Sequence, residues 1–188
     1  MKPGARALGI AESYGDGADR STLAGAVVRA DGVLDGLGYE ECTVGGTDAT
    51  DAVGSILEAV CRPDVRFVLL GAIAPAWYNI LDLDHIHSVV DRPVIAVTFE
   101  ASSGLEDALE DAFDGTEQRD RLERYRSLPA REELSVGDDT VYVRCVGCGP
   151  DRAAEVVRAF TLEGGRPEPI RVASLAARAA DSYAHASG

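Results

Sequence analysis

Val65-Arg-Phe-Val-Leu-Leu70 is a near-continuous apolar run, the pattern of a central strand covered on both faces, and the rest of the chain is read outward from it. Downstream, Tyr78 to Val90 places Ile80, Leu83, Ile86, Val89 and Val90 at helical spacing, and Pro93 to Phe99 is a second buried strand. A strand, helix, strand unit makes this pair parallel with a right-handed crossover. Upstream, Ala52, Val53, Ile56, Leu57 and Val60 form the apolar face of a helix that Thr47 or Asp48 can cap and that ends near Arg62-Pro63. Before it come three short segments, Arg6–Ala11, Thr22–Arg29 and Tyr39–Val44, separated by turn residues such as Gly15, Asp31-Gly32 and Asp35-Gly36. They read as antiparallel neighbours, with the first ending at Ala11 and a polar loop following. Beyond Phe99, helices are expected over 104–113, 116–128, 150–161 and 169–183, and one strand over 140–146. Three antiparallel strands followed by alternating helices and strands give a one-domain α/β sheet of mixed direction over residues 1–188.

At 188 residues with 46% hydrophobic side chains, the chain can bury one sizeable core and is too short for two large domains. No run approaches the 18 or so apolar residues of a membrane span, and the first residues lack the apolar stretch of a secretory signal, so a cytoplasmic location is expected. The net charge is −14, and Lys2 is the one lysine among 18 cations. An acidic surface almost free of lysine and poor in aromatics suits molar salt, where the screening length of about 3 Å suppresses self-repulsion. The reading is a halophilic protein. Acidity normally argues against nucleic-acid partners, but a surface adapted to salt does not report on the ligand. Residues 100–139 carry thirteen acidic and five basic side chains, the densest excess in the chain.

Two constellations carry chemistry. Cys145-Val-Gly-Cys148 lacks the second ligand pair a zinc site needs, which leaves a structural role or, as an alternative, a thiol/redox role. His85 and His87, two apart on a helix, point to different faces. Carboxylates at strand ends are the better candidates: Glu12 where the first strand stops, Asp48 at the handover to the first helix, and Asp82 soon after the central strand. Such acids can converge on hydrated Mg²⁺, which demands hard oxygen ligands.

Gly46-Thr-Asp-Ala-Thr-Asp51, Trp77-Tyr-Asn-Ile-Leu-Asp82, Arg92-Pro-Val-Ile-Ala-Val97 and, most specifically, Pro167-Glu-Pro-Ile-Arg-Val-Ala173 resemble in order and spacing the archaeal family catalogued as domain of unknown function 99. The resemblance spans roughly residues 6 to 183. It implies kinship with endonuclease V and a ribonuclease-H-like fold, in agreement with the strand order read from the residues. It also implies a nucleic-acid partner, DNA or RNA, and allows a homodimer, with Asn79 and Arg171 as candidate contacts to the nucleic acid. Arg171 has a structural alternative, an ion pair at the start of the last helix. The departures from the family pattern weigh more. Where the family's first strand ends Gly-Ile-Asp-Asp, this chain has Gly9-Ile10-Ala11-Glu12. Where its central strand ends Leu-Asp-Gly-Ile, this chain has Leu70-Gly71-Ala72-Ile73, and the His that follows Arg-Val-Ala is Ser174. The expectation is therefore a nucleic-acid-related protein with a degraded acid set. The alternative is an active Mg²⁺-dependent endonuclease in which Glu12 and Asp48 are catalytic and, with Asp82, hold the metal.

Overall fold

The computed structural model describes residues 1–186. Its elements are β1 (Arg6–Ser13), β2 (Arg20–Arg29), β3 (Leu34–Thr43), α1 (Ala49–Val60), β4 (Val65–Leu70), α2 (Pro75–Tyr78), α3 (Leu83–Val90) and β5 (Val94–Thr98). They continue with α4 (Glu106–Ala112), α5 (Gly115–Ser127), β6 (Glu132–Val136), β7 (Asp139–Val146), α6 (Pro150–Phe160) and α7 (Glu168–Ala186). The strands form one sheet in the order β3-β2-β1-β4-β5-β7-β6. β1, β4 and β5 run parallel at its centre, and β2, β3, β7 and β6 pair antiparallel on either side. This is the expected mixed sheet, with helices on both faces.

Alternation along the strands builds both cores. Leu8, Ile10, Val68 and Leu70 pack under α1 and α3 with Val53, Ile56, Leu83 and Ile86. Ala7, Phe67, Leu69, Ile95 and Val97 point the other way, toward Val156, Val157 and Phe160 of α6 and Ile170 of α7. Gly9 is what lets α7 approach: a β-carbon there would lie 2.1–2.5 Å from the backbone of Pro169 and Ile170. The first turn of the last helix thus rests on the middle of β1.

Three expectations are corrected. β1 does not end at Ala11: Glu12 and Ser13 continue the ladder opposite Leu23 and Thr22. The helix read from Tyr78 is broken. Ala76, Trp77 and Tyr78 all have φ between 48° and 63°, a left-handed turn of three non-glycine residues, and α3 starts only at Leu83. β6 is an additional edge strand, hairpinned to β7, which two apolar side chains and a run of acids hid in the sequence. Among the described residues no helix is long and apolar enough to cross a membrane.

Candidate functional site

Because β1 continues through Ser13, Ala11 and Glu12 project from opposite faces of the sheet. Ala11 lies on the α7 side with Ala173. Glu12 lies on the α1 side, where Ser21, fully buried, donates a 2.7 Å hydrogen bond to its carboxylate. Burial, with the nearby charges of Asp48 and Glu12, pushes the Cys42 thiol up to about 12.

Asp48 occupies the N-cap position of α1, yet its carboxylate makes no capping bond. It turns back to the end of β3, accepting from the Thr43 amide at 3.0 and 3.1 Å, the Thr43 hydroxyl at 2.8 Å and the Asn79 side chain at 2.8 Å. Burial raises its pKa, and the bonds from Thr43 and Asn79 outweigh burial, so the carboxyl sits below its ordinary value. The cap comes from Asn79, whose Oδ1 accepts from the Ala49 amide at 3.0 Å. Asn79 is fully buried, and its amide nitrogen also donates to the Thr43 carbonyl. The side chain expected to meet nucleic acid is spent on joining the left-handed turn to β3 and α1.

That turn is held from several sides. The Gly45 amide donates 2.7 Å to the Ala76 carbonyl, and a β-carbon on Gly45 would come within 2.8 Å of the Trp77 ring. Trp77 and Tyr78 pack against Phe113 at 5.1 and 6.0 Å between ring centroids. Arg121, buried at 4% exposure, stacks on the same ring and donates to the Gly45 and Gly46 carbonyls. The loop that carries Asp48 is therefore clamped, at the cost of left-handed backbone worth on the order of 1 kcal/mol per residue.

Asp82 does not join the other acids. It caps α3 by accepting from the His85 amide at 2.9 Å. Among the described residues, no three His, Cys, Asp or Glu side chains gather as a metal site, so Glu12, Asp48 and Asp82 are not brought together as a three-acid cluster. Arg171 closes a two-pronged pair with Glu168 at 2.8 and 2.7 Å, the structural alternative. Cys145 donates to the Cys148 carbonyl at 3.3 Å. Burial pushes both thiols up, Cys148 to about 11, whereas a reactive thiol needs a lowered value.

The three departures from the family pattern come together. Ala11, Gly71 and Ser174 line one cavity of about 130 Å³ at the carboxyl ends of β1 and β4, with Glu12, Ile170 and Arg166. A β-carbon on Gly71 would lie 2.9 Å from the Ile170 side chain and 3.6 Å from that of Ala11. Among the cavity's described lining residues the single acid is Glu12 and the single cation is Arg166. Arg166 stacks over Phe99 at 4.1 Å and makes no hydrogen bond or ion pair with a described residue. Sequence reasoning missed it, although it immediately precedes the most specific motif.

A family model described as Endonuclease dU matches residues 3–181. The chain belongs to the endonuclease dU family. A UPF0215 protein of Pyrobaculum calidifontis is 35% identical over 180 residues, covering 94% of this chain and 97% of that one. A crystal structure of an Archaeoglobus fulgidus protein of unknown function matches with TM-score 0.77 and 26% identity, covering 93% and 97%. Ciona intestinalis endonuclease V, crystallised with inosine-containing DNA, matches with TM-score 0.64 and 15% identity, covering 95% and 86%. The last likeness concerns the fold: the mixed sheet of this endonuclease dU relative is the endonuclease V, ribonuclease-H-like one.

Proposed function

We propose that this chain binds nucleic acid and has lost metal-dependent cleavage. One observation carries the reading: Ala11, Gly71 and Ser174 line the same cavity, so the departures remove one site rather than scattered surface residues. Two-metal hydrolysis needs carboxylates on both sides of the ions to fix them and to lower the pKa of the attacking water. Here Glu12 is the single acid among the cavity's described lining residues and is engaged by Ser21, and Asp48 is engaged by Thr43 and Asn79. A neighbour of the same fold binds inosine-containing DNA, which supports a nucleic-acid ligand. The archaeal relatives and the acid-rich, lysine-poor composition support a halophilic archaeal source.

The test is cleavage of DNA carrying deoxyuridine or inosine, and of RNA, in high KCl with Mg²⁺ or Mn²⁺, beside a binding assay on the same strands. Binding without turnover is expected. Turnover that disappears with Glu12→Gln or Asp48→Asn would restore the hydrolase reading.

A further inference from the structure

The vacated cavity does not end in solvent. It shares Gly71, Ala72 and Arg166 with a second cleft of about 350 Å³ at the carboxyl ends of β4 and β5, the edge where open α/β sheets place their ligands. Three guanidinium groups line that cleft, from Arg131, Arg144 and Arg166, against one acid, Glu100. In a chain of net charge −14 this is a local reversal of sign.

None of the three arginines pairs with a carboxylate among the described residues. Arg131 lies over the Tyr142 ring and donates to the backbone carbonyls of Ser102 and Glu100, both at 2.6 Å. Arg144 donates to the Pro129 carbonyl and reaches the Tyr125 hydroxyl at 3.5 Å. Both are thereby fixed in place with no carboxylate partner among the described residues, and Arg166 donates to none of those residues. A guanidinium offers a planar fork that matches two phosphate oxygens, and held against aromatic rings it loses little freedom on binding.

We infer that this cleft is a phosphate seat working through guanidinium groups alone, with Arg166 and Arg144 gripping a phosphate ester. The inference rests on the nucleic-acid reading for its ligand, a phosphodiester of a strand. The same chemistry accepts a free nucleotide, and the two sources are separable.

The probes are a fluorescent single-stranded oligonucleotide, a nucleoside 5′-monophosphate and inorganic phosphate, all in EDTA at the lowest KCl that keeps the protein folded. Anisotropy follows the first and phosphorus NMR line broadening the other two. The oligonucleotide is expected to bind without divalent ions, about tenfold more weakly with Arg166→Gln and within about twofold of the parent with Arg119→Gln, which removes the same charge from the exposed face of α5. Arg166 is exposed, so its loss should cost little beyond the Phe99 stack, and equal circular dichroism of parent and variant at the assay temperature keeps the comparison clean. Equal binding by the parent and Arg166→Gln would overturn the seat and leave the nucleic-acid reading standing. Binding of the mononucleotide or inorganic phosphate alone, lost with Arg166→Gln, would keep the seat and sink the nucleic-acid reading. Failure to bind any phosphate, or binding only after Mn²⁺ is added, overturns the seat.

Discussion

A β-carbon on Gly71 would face the side chain of Ala11 across 3.6 Å, at the mouth of a cavity that Ser174 also lines. Two strand ends that meet this closely could present paired carboxylates to one ion, and the backbone for doing so is intact. Ala11→Asp with Gly71→Asp should therefore create Mn²⁺ binding, seen as a melting temperature that rises with Mn²⁺ in the double variant and not in the parent. Gly71→Asp alone should cost about 1–3 kcal/mol, because its β-carbon would sit 2.9 Å from Ile170 Cγ2. No Mn²⁺ response in a folded double variant would show that Ile170 and Arg166 have closed the site.

Gly9 is constrained by backbone rather than by a side chain. Its missing β-carbon would overlap the Pro169 carbonyl carbon at 2.1 Å and oxygen at 2.2 Å, and neither atom can rotate away. Gly9→Ala must lift the first turn of α7 from β1, with a loss of about 3 kcal/mol or more in chemical denaturation. Gly54, where an added β-carbon meets nothing within 4 Å, provides the contrast. Gly54→Ala should stabilise α1 by several tenths of a kcal/mol.

The elements that buried an unbroken or alternating apolar pattern were legible from the sequence: β1, β4, β5, α1 and α6 lie within a few residues of expectation. β6 was not, since Glu132 and Glu133 mask an edge strand whose buried side chains are Leu134 and Val136. The left-handed turn at Ala76–Tyr78 was illegible for a different reason. No glycine marks it, and its support comes from Gly45, Asn79 and Phe113, which are brought together only by the fold. The family's missing acids could be named from Ala11 and Gly71, but their convergence with Ser174 and the entry of Arg166 needed three dimensions. Asp48 and Asn79 had the right address and exchanged roles, the amide capping the helix while the carboxylate holds β3.

That exchange has a pH signature. The Asp48 carboxyl lies below its ordinary value in the folded chain, because Thr43 and Asn79 bond to the ionised form. A folded-state value below the unfolded one means a contribution to stability that is present at neutral pH and is lost as pH falls through the carboxylate range, from about 5 downward. Asp48→Asn should lower the melting temperature at pH 7 and flatten this acid limb. Parallel limbs for parent and variant would show that Asp48 is not the titrating group.

Salt should act first on α4 and α5. Residues 100–139 carry a net −8, and the two helices are anchored by a small cluster of Leu109, Phe113, Leu122 and Tyr125 around Ile80. The exposed Arg126–Glu106 pair offsets little of that charge, since water and salt screen it. Between about 0.1 M and 3 M KCl the screening length drops from about 10 Å to under 3 Å, which removes most of the repulsion between neighbouring acids on these helices. Amide exchange should show α4 and α5 opening at low salt while β1, β4 and β5 stay protected, and circular dichroism should give a melting temperature that climbs with KCl. Arg121 makes the outcome reach the site: it leaves α5 to hold the Gly45 and Gly46 carbonyls, so loosening α5 releases the loop that carries Asp48. Arg121→Met, which keeps the bulk over Phe113 and removes those bonds, should raise exchange in residues 44–48 even in 3 M KCl. Uniform exchange across the chain at every salt concentration would refute both the salt response and this link.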